Sequence, residues 1–233
     1  MRPPIHAGCA NVVSLNCARF RDYKTALKKE QTITIPDIAP VMILPNALLF
    51  PNALLPLYIF EERYRKMLAW SLENDRMFCI ALLRPGRTGA KSDDDFFHTA
   101  GVGLIRACVG NADGTSHLIL QGLHRVHFNG FPQRTPFRIA NIEPLPSQPA
   151  DEMEAPELVQ QVLDLCERLK EKGLEIPTAL QHHLSQITDP DALSDVVTNA
   201  FVRDPLQRQH LLENLVVSER MRMLIDILRD EAG

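Results

Sequence analysis

The sequence predicts an α+β protein: a β-rich N-terminal lobe, a small sheet or barrel with one helix, followed by a lobe built as an α-helical bundle. Three observations carry this. Before about residue 146 the apolar runs are short, alternating and separated by turn residues. From Pro156 onward they recur with helical spacing. Between the two lies PLPSQPADEMEAPE (Pro144–Glu157), whose proline-rich acidic composition is that of a linker. With 233 residues and 45% hydrophobic composition, the chain can bury one large core or two smaller ones, and the change of pattern favours two. The expected organisation is an N-terminal extension over 1–39, the β-rich lobe over 40–146, the linker over 147–156 and the helical lobe over 157–233. The extension (MRPPIHAGCANVVSLNCARF at its start) lacks the apolar stretch of a secretion signal and reads as a tail.

The densest apolar stretch is Leu44–Arg65, LPNALLFPNALLPLYIFEERYR, with Pro45, Pro51 and Pro56 spaced through it. Proline breaks a helix interior, so this is not one long helix. Ala47–Phe50 and Leu54–Ile59 are short enough to be strands, and Pro56 restricts the second to a sheet edge, a first position or a bulge. After Phe60 the period changes: Tyr64, Met67, Leu68, Ser71 and Leu72 form one face of a helix expected over Glu61–Asp75. Phe97–Val109 and His117–Phe128 read as strands joined by the turn Asn111-Ala-Asp-Gly114, and Pro136–Pro146 as the strand that closes this lobe. In the C-terminal part, Leu193, Val196, Val197, Ala200 and Phe201 share one helix face, and Met221, Leu224, Ile225 and Leu228 another. Asp204-Pro205 suits an N-cap followed by proline at the first helical position.

The stretch from Leu44 to Arg65 closely resembles the start of the Lon substrate-binding domain, the N-terminal domain of Lon proteases. It matches at Leu44, Pro45, Asn46, Leu49, Phe50, Pro51, Leu55, Pro56, Leu57, Ile59, Phe60, Glu61, Arg63, Tyr64 and Arg65, and departs at Asn52, Tyr58 and Glu62, where the family has Gly, His and Pro. Gly122 and Arg125 sit at matching places downstream, and Glu213–Leu228 follows the family to the end. The resemblance covers roughly residues 40 to 230 and implies a PUA-like fold for the β-rich lobe. It implies a module that recognises unfolded or degron-bearing proteins, free-standing here, since neither the AAA+ ATPase nor the Ser–Lys peptidase of full Lon proteases has a counterpart in these residues.

Other chemistries find little support. The formal net charge of −4 argues for solubility and nothing more specific. Nucleic-acid binding needs a basic face, and Arg63, Arg65 and Lys66 lie among Glu61, Glu62 and Glu73, the mixture of a solvated helix face. RNA binding through a PUA-like lobe is the alternative reading. No apolar run is long enough for a membrane helix, and the expected location is the cytoplasm. Cys9, Cys17, Cys79, Cys108 and Cys166 form no C-x-x-C pair. His124 and His127 point to opposite faces of a strand, which weakens any zinc site shared with His117. His182 and His183 are neighbours on a helix and do not share a face. Gly86-Arg-Thr-Gly-Ala-Lys-Ser92 has the wrong glycine and lysine spacing for a phosphate loop. No cofactor, metal or catalytic residue is implied, and the protein is expected not to be an enzyme.

What remains is binding, through apolar contact and strand addition at a sheet edge. Leu54 and Leu55 are adjacent and cannot both face inward from a strand. Trp70 lies about 120° around its helix from the apolar stripe, so it either packs under a neighbouring lobe or anchors a ligand. Phe50, Leu54, Leu55 and Trp70 are the expected peptide contacts. A free-standing copy binds weakly, self-associates, or joins a partner such as a protease or chaperone.

Overall fold

A computed structural model describes residues 33–232. Most of the expected N-terminal extension, with Cys9 and Cys17, lies outside the described residues. Six strands form one mixed sheet: β1 (Ile38–Leu44), β2 (Leu54–Ile59), β3 (Met77–Leu82), β4 (Thr99–Gly110), β5 (Ser116–Gln133) and β6 (Arg138–Pro144), in the order β2-β5-β4-β3-β1-β6. Only β1 and β3 are parallel. The crossover between them carries β2 and the helix α1 (Glu62–Glu73). The C-terminal half of β5 also pairs with β6, so β5, β4, β3, β1 and β6 close into a ring. The N-terminal half of β5 runs past that ring and holds β2 as an edge. Closure removes free strand edges; β2 is the strand that escapes it.

Strand alternation sorts the side chains into two clusters. Small residues, among them Ala39, Cys79, Ala81, Ala100 and Ala140, meet Phe96, Phe128 and Phe131 on one side. Met42, Phe78, Ile80, Leu118 and Leu120 meet Tyr64, Met67 and Leu68 of α1 on the other. The stripe read from the helical period is thus the buried face of α1. Tyr64 pins it: its hydroxyl donates to the Ile43 carbonyl at 2.9 Å and accepts from the Ile43 N–H at 3.2 Å. The helix is shorter than Glu61–Asp75, because the chain turns out of it at Asn74 and reaches a left-handed Arg76 (φ 57°) before β3.

Five helices follow: α2 (Ala155–Glu171), α3 (Thr178–Leu184), α4 (Pro190–Phe201), α5 (Pro205–Glu213) and α6 (Val217–Ala232). The α4 and α5 starts are capped by Asp189 and Asp204, each followed by proline, and Asp204 accepts from the Gln207 N–H at 2.7 Å. The linker is tied down where α5 meets α6: Gln148 N–H donates to the Leu215 carbonyl at 2.8 Å and its carbonyl accepts from Val217 at 3.0 Å.

The expected strand Ala47–Phe50 is corrected to buried irregular chain. Its neighbouring side chains go separate ways, Leu48 and Phe50 into the core of the helices and Ala47 and Leu49 into the cluster under α1. Its backbone crosses β4 and β5 so closely that a Cβ on Gly101 or Gly122 would lie 1.9 Å from the carbonyl oxygen of Leu49 or Phe50. A chain crossing strands at that distance is not a rung of their ladder. Leu48, Phe50 and Leu82 therefore share one core with Leu193, Val197, Leu211, Met221 and Leu224.

Charge reinforces this seam. Arg125 of β5 makes a bidentate pair with Asp195 of α4, with Nη1 at 2.9 Å from Oδ2, and donates from Nε to the Leu212 carbonyl at 3.1 Å. Arg220 of α6 lies 3.8 Å from Asp195 and 2.5 Å from Asp191. Two cations and two carboxylates thus neutralise one another, with Arg125, Asp195 and Arg220 buried and Asp191 reaching the surface. Burial pushes the Asp195 carboxyl up, against the pull of Arg125. The loop resembling a phosphate loop is held differently: Asp95 accepts from the N–H groups of Lys91 (2.9 Å) and Ser92 (2.7 Å). A carboxylate of the protein's own occupies those donors.

Candidate functional site

The turn after Phe50 launches β2. Asn52 takes a left-handed φ of 61°, which asparagine tolerates better than most residues. Its N–H donates to the Gly122 carbonyl at 3.1 Å, and Gly122 N–H donates to the Ala53 carbonyl at 2.9 Å. That exchange sets the register of β2 on β5, from Leu54 opposite Gln121 to Ile59 opposite Ser116. Pro56 falls opposite Ile119, and its missing donor is tolerated because, among the described residues, β2 is paired on one side only.

Alternation then divides β2. Leu55, Leu57 and Ile59 pack towards the α1 cluster. Leu54, Pro56 and Tyr58 point away from it, in cross-strand rows: Leu54 with Gln121 and Leu104, Pro56 with Ile119 and Ala107, Tyr58 with His117 and Val109. The Tyr58 ring stacks on His117 at 4.7 Å and lies 5.7 Å from Phe60. The face is open: Leu54 is 52%, Tyr58 36%, Phe60 40% and Val109 65% exposed. A contiguous exposed apolar face beside a strand with unpaired backbone groups is the form of a strand-adding surface.

The four residues expected as contacts do not come together. Leu54 lies on the open face. Leu55 is half-buried on the opposite face against the α1 cluster. Trp70 is half-buried, 6.4 Å from the Phe137 ring. Phe50 is fully buried in the seam, with the Arg208 guanidinium 5.6 Å from its ring centre, and has no surface to present. Tyr58, Phe60, Val109 and His117 complete the open face instead. Tyr58 and Phe60 share the parity of Leu54 along the strand, a signal present in the sequence. His117 joins them only through the β2–β5 register and Val109 only through the β4–β5 register.

Charges rim this face. Arg63 pairs with Glu61 at 2.7 Å and Lys66 with Glu62 at 2.7 Å; the bond from Lys66 is what chiefly holds Glu62 below the usual carboxylate range. Arg65 reaches the turn at Gly114, near Asp113, whose carboxyl is lowered first by hydrogen bonds from Thr115 and further by Arg65. A shallow groove of about 630 Å³, lined by Phe60, Glu62, Arg65, Lys66, Ala69 and Gly114, continues from the open face. At the opposite end of the open face, beside Leu54, Arg106 donates to Gln121. Among the described residues no cluster of histidine, cysteine, aspartate or glutamate is arranged to hold a metal ion.

Comparison with known proteins matches this architecture to one family. The model of the ATP-dependent protease La (LON) substrate-binding domain matches residues 38–230. The Lon protease of Trichlorobacter lovleyi is 25% identical over 203 residues, covering 87% of this chain and 25% of that protein. The Lon protease of Escherichia coli K12 is 24% identical over 192 residues, 82% of this chain and 24% of its own length. The chain thus spans about a quarter of the length of these curated relatives. Among solved structures, the N-terminal domain of a Mycobacterium avium complex Lon protease superposes with a TM-score of 0.65 at 19% identity, covering 83% of this chain and 98% of that one. A Lon N-terminal domain protein from Xanthomonas campestris gives 0.57 at 17% identity, covering 81% and 97%.

Proposed function

The chain belongs to the Lon substrate-binding domain family, and from that premise we propose that it is a non-enzymatic module that binds extended segments of unfolded or degron-bearing proteins along β2. The observation that carries this reading is the edge strand itself. Among the described residues it combines backbone groups free on one side with the apolar row Leu54, Tyr58 and Phe60. An added strand gains main-chain hydrogen bonds from the edge and side-chain contacts from alternate residues. If it covers roughly 300 Å² of apolar surface, the gross gain is about 7 kcal/mol. Ordering and association costs consume most of that, leaving micromolar to millimolar affinity.

Affinity of that order suits transient capture and calls for repetition, either by self-association or by delivery to a protease or chaperone that holds several copies. The site has no convergent nucleophile, base or metal among the described residues, so the reading assigns it no chemistry of its own. No helix of the described residues is long and apolar enough to cross a membrane. The test is retention of chemically unfolded proteins by the immobilised chain, compared with Leu54→Asp and Tyr58→Ala variants of unchanged circular dichroism. Retention that drops in both variants supports the β2 edge. Retention unchanged in both, or elution of nucleic acid alone, refutes it.

A further inference from the structure

Arg106 stands apart from the other cations of this face. β4 shifts register between Ile105, which faces Leu120, and Ala107, which faces Ile119, so Arg106 has no partner across the ladder. A bulge of this kind bends the strand and re-aims the extra side chain. Here it is aimed at Gln121: Nε of Arg106 donates to Oε1 of Gln121, and Gln121 lies directly across from Leu54. Arg63 and Lys66, at the other end of the face, are neutralised by Glu61 and Glu62, and Arg65 lies near Asp113. Among the described residues no carboxylate pairs with Arg106. Its side chain is oriented through one nitrogen, and its two terminal amino groups keep the planar fork that matches a carboxylate.

We infer that Arg106 is a specificity-determining residue: the β2 edge selects extended segments in which a carboxylate, from a glutamate side chain or a chain terminus, follows the apolar run. This rests on the reading of β2 as a peptide-binding edge. Strands spaced about 4.8 Å apart place an added strand about 14 Å from β4, the strand that carries Arg106. A glutamate leaning over Leu54 and the Arg106 side chain close that gap between them. The apolar residues supply most of the affinity, and Arg106 chooses among apolar segments.

The experiment uses fluorescence anisotropy of labelled peptides alternating leucine or phenylalanine with threonine. One arm carries a glutamate after the apolar run and an amidated end, the second a glutamine there and an amidated end, the third a glutamine and a free terminal carboxylate. The glutamate peptide is expected to bind about three- to tenfold more tightly than the amidated glutamine peptide. That gain should vanish in Arg106→Gln, shrink with added salt, and turn into a preference for a lysine-bearing peptide in Arg106→Glu. A gain in the third arm assigns the carboxylate to a chain terminus, and one confined to the first assigns it to a side chain. Equal binding in all arms, abolished by Leu54→Asp, overturns the role of Arg106 and leaves the peptide-binding edge standing. A gain that persists in Arg106→Gln also overturns it. Failure of every peptide to bind overturns both.

Discussion

The seam between barrel and helices and the open face of β2 are built from one continuous segment, residues 47–60, and in opposite ways. At the seam, Leu48 and Phe50 are fully buried, and charged groups are buried with them: Arg125, Asp195 and Arg220 lie out of contact with water and neutralise one another together with the partly exposed Asp191. A few residues on, Leu54, Tyr58 and Phe60 are as apolar as the seam and yet exposed, while the charges beside them stay at the solvated rim. Hydrophobicity alone does not separate the two regions. What separates them is whether another element closes over the chain. Gly101 and Gly122 let the backbone of residues 49–50 press onto the barrel, and the helices cover it from the other side. β2 hangs from the overhanging half of β5, and among the described residues no further strand pairs with it. A buried seam fixes the relative placement of the lobes; an open edge leaves something to bind.

The sharpest way to break this contrast is to remove one member of the buried charge cluster. Arg125→Met should cost about 3–5 kcal/mol in urea unfolding, because Asp195 is left buried with only the more distant Arg220. Pairing it with Asp195→Leu should recover a substantial part. A single-variant loss under about 1 kcal/mol would mean that the seam is held by apolar contact alone.

Next in size, Gly122→Ala should lower stability by about 1–3 kcal/mol, since its Cβ meets the Phe50 carbonyl rather than a pliable side-chain end. The same unfolding measurement reads it, and a neutral outcome would show that the crossing chain is not pressed onto the barrel.

A smaller, local effect is expected at the Arg84–Asp95 loop. The Asp95 carboxyl is held below its ordinary value, first by the bond from the Ser92 N–H. A depressed folded-state pKa contributes stability that is present above the unfolded value of about 4 and is lost as pH falls through the lower folded one. Hydrogen-exchange protection of the Lys91 and Ser92 amides should therefore fall only below about pH 4, and Asp95→Asn should reproduce that loss at neutral pH.

On the open side, Leu54→Asp should change stability by no more than about 0.5 kcal/mol while reducing peptide capture. A large stability loss would show that this face is structural after all. Least of all, thiol labelling should be site-selective: Cys108 is half-buried at the margin of the α1 cluster, whereas burial pushes Cys166 up to about 12 and Cys79 higher still. Cys108 should react in the native state, the other two only on unfolding.

How far the sequence could be read varied with the range of the interactions involved. The face of α1, the β4–β5 turn and the Asp204-Pro205 helix start were legible, because each depends on spacing within a few residues. Ala47–Phe50 misled, since four apolar residues between prolines look like a strand, and nothing local shows that alternate side chains enter different cores. The open face was half legible: Leu54, Tyr58 and Phe60 share a parity, but Phe50 looked equally eligible until the helices were seen to close over it. Val109, His117 and Arg106 were illegible as members of the face, because their places depend on the β2–β5 and β4–β5 registers and on the bulge in β4.

By itself, then, the sequence determined the α+β class, the change from strands to helices along the chain and the apolar stripes of α1, α4 and α6, along with its likeness to one family. These follow from period, proline placement and turn chemistry, which act over a turn or two of chain. Only the tertiary structure decided that β5 overhangs the closed ring, that β2 keeps a free edge, and that Arg125 meets Asp195, some 70 residues away. Those outcomes depend on which surfaces meet across the whole chain. Pairing register and burial are properties of two partners at once, and one stretch of residues specifies only its half of each.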